Sequence, residues 1–307
     1  MGKIILFYKY VHIQYPKQIL KWQLKLCSEF GFTGRIVLAH EGINGTLGGS
    51  ETAIQKYKHL MSVHSLFGNI DFKESSGDQS CFPKMQIKIK KEIVRLDIDP
   101  SIVTAEKGGI HLKPDEVHSL LEKKSEDLVI FDARNACESA IGAFTDAIKP
   151  NISYFRQLPT YIENNLDLFK DKKVIMYCTG GIRCERASAY LQTKNVAKEI
   201  YQLEGGIHRY LEQYPDGHFR GKNYVFDARL AVATNDDVLS TCLLCNKSCD
   251  EYDNCLNASC NKHFICCNTC KISYKKACST ACKQLIEKEM VRLRPALHIV
   301  HNKNQTP

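Results

Sequence analysis

Of the fifteen cysteines in this 307-residue chain, one is set apart by its neighbours. Cys178 follows the apolar, β-prone run Lys173-Val174-Ile175-Met176-Tyr177. It precedes Thr179-Gly180-Gly181-Ile182-Arg183-Cys184-Glu185, and Arg186-Ala187-Ser188-Ala189-Tyr190-Leu191 beyond is helix-prone. The pattern predicts a buried strand ending in a cysteine, a tight diglycine turn, and the start of a helix. Loop N–H groups and the positive end of the helix dipole then converge on the sulfur, and Arg183 adds a full charge. All three favour the anion, so Cys178 is expected to be a thiolate or to carry one. A buried, inert cysteine is the plainer alternative for this residue type, but it requires neither a diglycine turn nor an arginine.

Loop length narrows the chemistry. Thr179, Gly180, Gly181 and Ile182 lie between Cys178 and Arg183, and the next position holds Cys184. This loop resembles that of the rhodanese family, in which the cysteine carries a persulfide. The related phosphatases use a loop one residue longer, which wraps a phosphate. Here the shorter loop suits an extra sulfur or a small oxyanion, so phosphatase activity is not expected. Cys178 and Arg183 are the expected catalytic groups, with Thr179, Gly180, Gly181 and Ile182 contacting substrate. Cys184, at the helix start, is a candidate partner for an oxidised Cys178.

A second group of cysteines lies near the end of the chain, in the short pairs Cys242-x2-Cys245, Cys255-x4-Cys260, Cys267-x2-Cys270 and Cys278-x3-Cys282. Chelating pairs at this spacing point to closed four-thiolate zinc sites, and eight ligands make two ions. An interleaved arrangement is expected, Cys242 and Cys245 joining Cys267 and Cys270, and Cys255 and Cys260 joining Cys278 and Cys282. Interleaving ties four segments into one unit. Cys249 is the expected spare, and Cys266 competes with Cys267 for one place. A segment this short and polar needs metal to supply its folding free energy. It is also basic, with Lys271, Lys275, Lys276, Lys283, Lys288, Arg292 and Arg294.

Lys and Arg total 42 against 34 Asp and Glu, a net charge of +8. That excess is compatible with nucleic acid and also with many small enzymes. Met1-Gly2-Lys3 leads into a short β-like run rather than a long apolar stretch, and no segment is apolar enough to span a membrane. The expectation is a reducing, cytoplasmic compartment, where clustered cysteines favour zinc over disulfides.

The elements that must position these groups fall into three expected units: 1–100, 101–232 and 233–307. In the first, strand signals at Ile4–Tyr8, Gly34–Ala39, Ile43–Leu47 and Ile70–Lys73 alternate with helices at Pro16–Phe30 and from Ser50 towards Val63. The order βαββαβ is that of a ferredoxin-like α+β sandwich. Alternation over Met85–Leu96 predicts one or two more strands with lysines facing outward. The glycine-rich stretch His40-Glu41-Gly42-Ile43-Asn44-Gly45 either serves hairpin turns or, through His40 and Asn44, contacts substrate. In the second unit, repeated βα signals from Lys113 to Tyr224 predict a parallel α/β sheet with helices on both faces. Catalytic groups should collect at the strands' C-terminal ends, where Asp132 and Arg134 accompany Cys178. A structural ion pair or helix cap is the equal alternative for Asp132 and Arg134.

Three features occur together: Ala39-His40-Glu41-Gly42-Ile43-Asn44-Gly45-Thr46, the Cys178–Glu185 loop, and the cysteine-rich tail. Together they resemble the tRNA uridine hydroxylase family, whose members carry a central rhodanese domain. The resemblance covers residues 1 to about 290. It implies oxygen-dependent conversion of the wobble uridine of tRNA to 5-hydroxyuridine, with molecular oxygen as co-substrate and Cys178 at the family's essential cysteine. Two other classes remain open: a sulfurtransferase working through a Cys178 persulfide, and a non-catalytic RNA- or protein-binding module. The first leaves the flanking units without a task; the second leaves the Cys178 loop unexplained. The chain has no dinucleotide fingerprint, and no spacing in it marks an iron facial triad.

Overall fold

The computed structural model describes residues 2–294; Met1 and the end of the expected third unit, 295–307, lie outside the described residues. In the first unit, alternation sets the architecture. Strand β1 (Gly2–Tyr10) sends Ile5 and Phe7 to one face and Ile4, Leu6 and Tyr8 to the other. The first face is covered by α1 (Pro16–Glu29) and, after β2 (Thr33–Ala39) and β3 (Gly42–Ser50), by α2 (Glu51–Ser62). The Ser50 hydroxyl caps α2 by accepting from Ala53 N–H at 3.3 Å; such a cap is worth about 1 kcal/mol. With β4 (Asp71–Ser76) and β5 (Met85–Ile89) the sheet order is β4-β1-β3-β2-β5, antiparallel except for β2 with β5. The ferredoxin-like sandwich expected from the sequence is present, with one added strand.

Alternation over Met85–Leu96 yields β5 alone. Beyond Ile89 carboxylates take over the backbone: Ile93 N–H donates to Glu41, and Leu96 and Asp97 N–H donate to Glu92. Side-chain acceptors in place of a neighbouring strand end the ladder.

The central unit runs β6 (Ile110–Leu112), α3 (Pro114–Lys123), β7 (Leu128–Asp132), α4 (Ala136–Ser139), β8 (Gly142–Phe144), α5 (Leu158–Asn164), β9 (Lys173–Tyr177), α6 (Ile182–Gln192), β10 (Glu199–Leu203) and α7 (Gly206–Gln213). Strands β6, β10, β9 and β7 form one parallel sheet in that order. One buried cluster, around Phe131, Val174 and Met176, lies towards α5 and α6. The other, around Ile130, Ile175 and Tyr177, lies towards α3 and α7. Both faces are covered, as a parallel sheet requires.

Strand β11 (Phe219–Tyr224) pairs with β8 and with β12 (Ala231–Ala233). The tail adds β13 (Tyr252–Asn254), β14 (His263–Ile265), α8 (Asn268–Ser273) and α9 (Thr280–Glu287) around a cluster made largely of cysteines. Among the described residues no helix is long and apolar enough to cross a membrane.

The uncovered face of the first sheet is what positions the site, because it docks on the start of α6. Tyr8 donates to Glu185 at 3.0 Å, and Tyr10 to the Ile182 carbonyl at 3.3 Å. Arg186, fully buried, donates to Glu41 at 3.2 Å, Glu92 at 3.1 Å and the Ile98 carbonyl at 2.7 Å. Glu185 and Arg186 thus join the two units directly behind the Cys178 loop.

Candidate active site

Cys178 immediately follows β9, is fully buried by protein, and lines a cavity of about 320 Å³. The cavity's other wall is the open face of the first sheet: Ile4 and Leu6 of β1, Arg35 and Val37 of β2, Asn44 and Thr46 of β3, Lys73 and Ser75 of β4. The diglycine exists partly for this docking. A Cβ at Gly180 would stand 2.8 Å from Leu6 Cδ2, and one at Gly181 2.7 Å from the Tyr8 hydroxyl. Gly181 also has φ +101°, a conformation that side chains disfavour.

The electrostatics favour the anion. The Gly181 N–H donates to Cys178 Sγ at 3.1 Å. Burial alone pushes the thiol up. The hydrogen bond from the Cys184 thiol, the Arg183 charge and the main-chain N–H groups of the loop outweigh it, and the Cys178 pKa falls to about 5. Cys184 moves the other way, raised first by its own burial and then by Cys178, so it stays a thiol and a donor. Near neutral pH the pair is one thiolate and one thiol.

Arg183 does not face the sulfur as a free cation. Its guanidinium is held bidentate by the fully buried Glu138 at 2.5 and 2.7 Å, and also donates to Thr179 Oγ1 at 3.2 Å. Burial opposes ionisation of Glu138, but the Arg183 charge and hydrogen bonds hold its carboxyl below the usual range. The pair fixes loop geometry and leaves a net positive influence on Cys178 only through distance and orientation. Glu138 also accepts from Asn135 N–H at 3.1 Å, closing the first turn of α4. Its sequence signal was therefore that of a helix cap, three residues after Asn135.

Of the residues the sequence pointed to, Cys178, Thr179, Gly180, Ile182, Arg183 and Asn44 line the cavity, and Gly181 contributes its N–H. Asn44 spends its side-chain N–H₂ on the Ile93 carbonyl at 3.0 Å. His40 does not line the cavity: its Nδ1 pairs with the Ile13 carbonyl at 3.0 Å and its ring stacks on His12. Asp132 and Arg134 also lie outside it. Both are fully buried and joined at 2.7 Å, with Tyr177 donating to Asp132 at 2.8 Å and Arg134 to the Gly142 carbonyl at 2.6 Å. They form a buried ion pair that links the end of β9 to β8.

Five lining residues carried no local sequence signal. Lys73 is buried, bonded to Asp71 at 2.9 Å and seated over the Tyr8 ring. His208 is driven down to about 4, first by burial and then by Lys73 and Arg229, and so presents a neutral imidazole. Phe226 exposes half its surface. Arg229 is paired with Asp227 at 2.5 Å and donates to Ser75 and to the Ser76 carbonyl of β4. Arg35 has no ion-pair partner among the described residues, which makes it the cation available to an anionic ligand.

The tail cysteines assemble as two four-sulfur groups, Cys242–Cys245–Cys267–Cys270 and Cys255–Cys260–Cys278–Cys282, each with all its Sγ atoms within 4.8 Å of one another. The interleaved pairing expected from spacing is the one present. A tetrahedral ion with metal–sulfur bonds of about 2.3 Å needs sulfurs about 3.8 Å apart. Cys245–Cys267 at 3.7 Å, Cys260–Cys278 at 3.5 Å and Cys278–Cys282 at 4.0 Å fit that edge, and none of the fifteen cysteines is in a disulfide. Both groups could hold metal ions. Cys249 and Cys266 are buried outside them.

A thiolate at the end of a central strand, cradled by loop amides and closed over by a second sheet, defines a rhodanese-type site inside a larger enzyme. Three family models match in succession: the UPF0176 acylphosphatase like domain over residues 2–93, the rhodanese-like domain over 113–213, and the rhodanase C-terminal over 220–283. The curated tRNA uridine(34) hydroxylase of Aster yellows witches'-broom phytoplasma (strain AYWB) is 38% identical over 285 residues, 91% of each chain. That of Corynebacterium urealyticum is 38% identical over 88% of this chain and 93% of its own, and that of Arthrobacter sp. 38% over 89% and 95%. The chain belongs to the tRNA uridine(34) hydroxylase family.

Proposed function

We propose that this protein hydroxylates uridine 34, the wobble base of tRNA, at ring carbon C5, and that Cys178 is the reactive group. The observation that carries this reading is the Cys178 thiolate at a cavity of about 320 Å³ walled by two domains. Such a space admits one base and excludes a folded tRNA, so the anticodon base must leave its stack to reach the sulfur. Phe226 offers an aromatic surface beside that path, and Arg35 a cation for a phosphate. The net charge of +8 and the basic tail supply the longer-range attraction that a polyanion needs.

Exchange of C5–H for C5–OH takes one oxygen atom from molecular oxygen. The other leaves as water, with two electrons and two protons from a thiol-class reductant whose two thiols become a disulfide. Arg183, Glu138 and Thr179 hold the loop, His208 presents a neutral nitrogen to the cavity, and Cys184 keeps Cys178 anionic. In the tail, two zinc ions held by four thiolates each would fold the module and take no part in chemistry, because a closed tetrahedron has no place for water. Cysteines unpaired by disulfides accord with a reducing, cytoplasmic setting.

The test is nucleoside mass spectrometry of tRNA from cells with and without the protein, and with Cys178→Ser restored in its place. Loss of 5-hydroxyuridine in the second and third supports the reading; its persistence in both overturns it. The same loop amides would also hold a persulfide, so a sulfurtransferase is the competing reading. Release of thiocyanate from the purified protein by cyanide, with unchanged 5-hydroxyuridine in cells lacking it, would favour that reading.

A further inference from the structure

We propose that His118, Glu122 and His218 form a third metal site, for a divalent transition ion of the borderline class such as zinc, cobalt(II), nickel(II) or iron(II), on the face of the central domain away from Cys178. One ring nitrogen of each histidine and a Glu122 oxygen lie within 4.8 Å of one another. None of the three lines the Cys178 cavity or belongs to the tail. His118 and Glu122 stand one turn apart on the same side of α3, the spacing that brings two ligands to one ion. His218 arrives from the connection between α7 and β11.

His218 Nε2 lies 2.6 Å from Glu122 Oε1, yet this buried nitrogen has no hydrogen-bond partner, because the two atoms are not aligned for one. An ion with ligand bonds of about 2.0–2.2 Å would open that contact to a little over 3 Å and take up the unpartnered nitrogen. The supporting shell is also in place. The Tyr210 hydroxyl bonds His118 Nδ1 at 2.9 Å, which leaves the other ring nitrogen for a cation, and receives the His218 main-chain N–H at 3.0 Å. The His118 ring is stacked on Tyr214 with centroids 3.9 Å apart and planes 5° from parallel. Hydrogen bonding of the remote nitrogen and fixed ring orientation are what a metal-ligating histidine needs. Two imidazoles and a carboxylate select transition ions over magnesium or calcium, and the largely exposed Glu122 leaves further positions open to water. Bound there, the ion would tie α3 to the end of α7.

Full-length protein with both four-cysteine sites loaded with zinc should be titrated with cobalt(II) and the bound metal counted after gel filtration. Wild type should take up one further equivalent per chain with visible d–d absorption and no new thiolate charge-transfer band. Glu122→Gln should weaken that uptake at least tenfold. His118→Gln and His218→Gln should abolish it while two zinc ions remain bound, which reports an intact fold. Absence of a third equivalent in wild type, or its persistence in both histidine variants, overturns the proposal. Neither result bears on uridine hydroxylation, which is read separately.

Discussion

The Cys178 loop and the cysteine tail stabilise thiolates by opposite means. In the loop the protein supplies the positive potential itself: main-chain N–H groups, a neighbouring thiol and an arginine already committed to Glu138. Cys178 lines the cavity and no metal is needed to hold its charge. In the tail the sulfurs face each other at 3.5–4.0 Å, a spacing at which a metal ion between them would hold them as thiolates. Every lone-pair direction is then used. The same side chain is reactive where the backbone carries the charge and inert where a metal does.

Experiments that break this contrast can be ranked by effect. The largest belongs to the tail. Metal removal by a strong chelator, or Cys267→Ser, should unfold it, since structural zinc supplies about 10–16 kcal/mol in small zinc-dependent folds. Limited proteolysis should cut within 240–290 while the central domain survives, and an uncut tail would place its stability elsewhere. Cys178→Ser comes next. Turnover should fall at least about 10³-fold, with melting temperature and bound metal unchanged.

Glu138→Gln probes the brace between these extremes. It leaves Arg183 buried with its partner's charge gone, and breaking such a pair costs about 3–5 kcal/mol. Thermal denaturation should register the loss, and an unaltered melting temperature would deny Glu138 its role. A subtler effect follows from Cys184→Ala, which removes a donor to Cys178. Alkylation of wild-type Cys178 should be near its plateau at neutral pH and decline as pH falls through about 5. In the variant the midpoint should rise towards the ordinary thiol value; an unmoved midpoint would leave loop amides and Arg183 as the whole cause. Because the folded pKa is depressed, the associated stability is present above the unfolded thiol value and is lost as pH falls towards about 5. The smallest change is Arg35→Ala, which should weaken tRNA binding a few-fold and lower the salt slope by about one phosphate contact, as gel shifts at several salt concentrations would reveal.

Local patterns were legible in the chain because their physics is local. A strand ending at Cys178, a diglycine turn and a helix follow from apolar periodicity and backbone freedom within a few residues. Likewise the short spacings of the tail confine paired sulfurs to one ion, and closing four pairs into a single unit favours interleaving, as Cys242–Cys245 with Cys267–Cys270 bears out. The ferredoxin-like order and the parallel sheet were equally readable from alternating signals.

What the tertiary structure decided were the roles that depend on partners far along the chain. Glu185 and Arg186 read as the first turn of a helix until Tyr8, Glu41 and Glu92 reach them across the domain boundary. Glu41 and His40 are adjacent and equally polar, yet one anchors the docking and the other turns back to Ile13. The diglycine reads as a turn, and only the structure shows that a side chain at either position would press on Leu6 or Tyr8. Asp132 and Arg134 read in sequence as a catalytic pair or a structural one, and only the structure shows them fully buried outside the cavity, bonded to Tyr177 and the Gly142 carbonyl. Spacing determines which atoms a few residues can bring together, but only packing determines which polar groups keep a free face, and at this site that is what separates a brace from a reactive group.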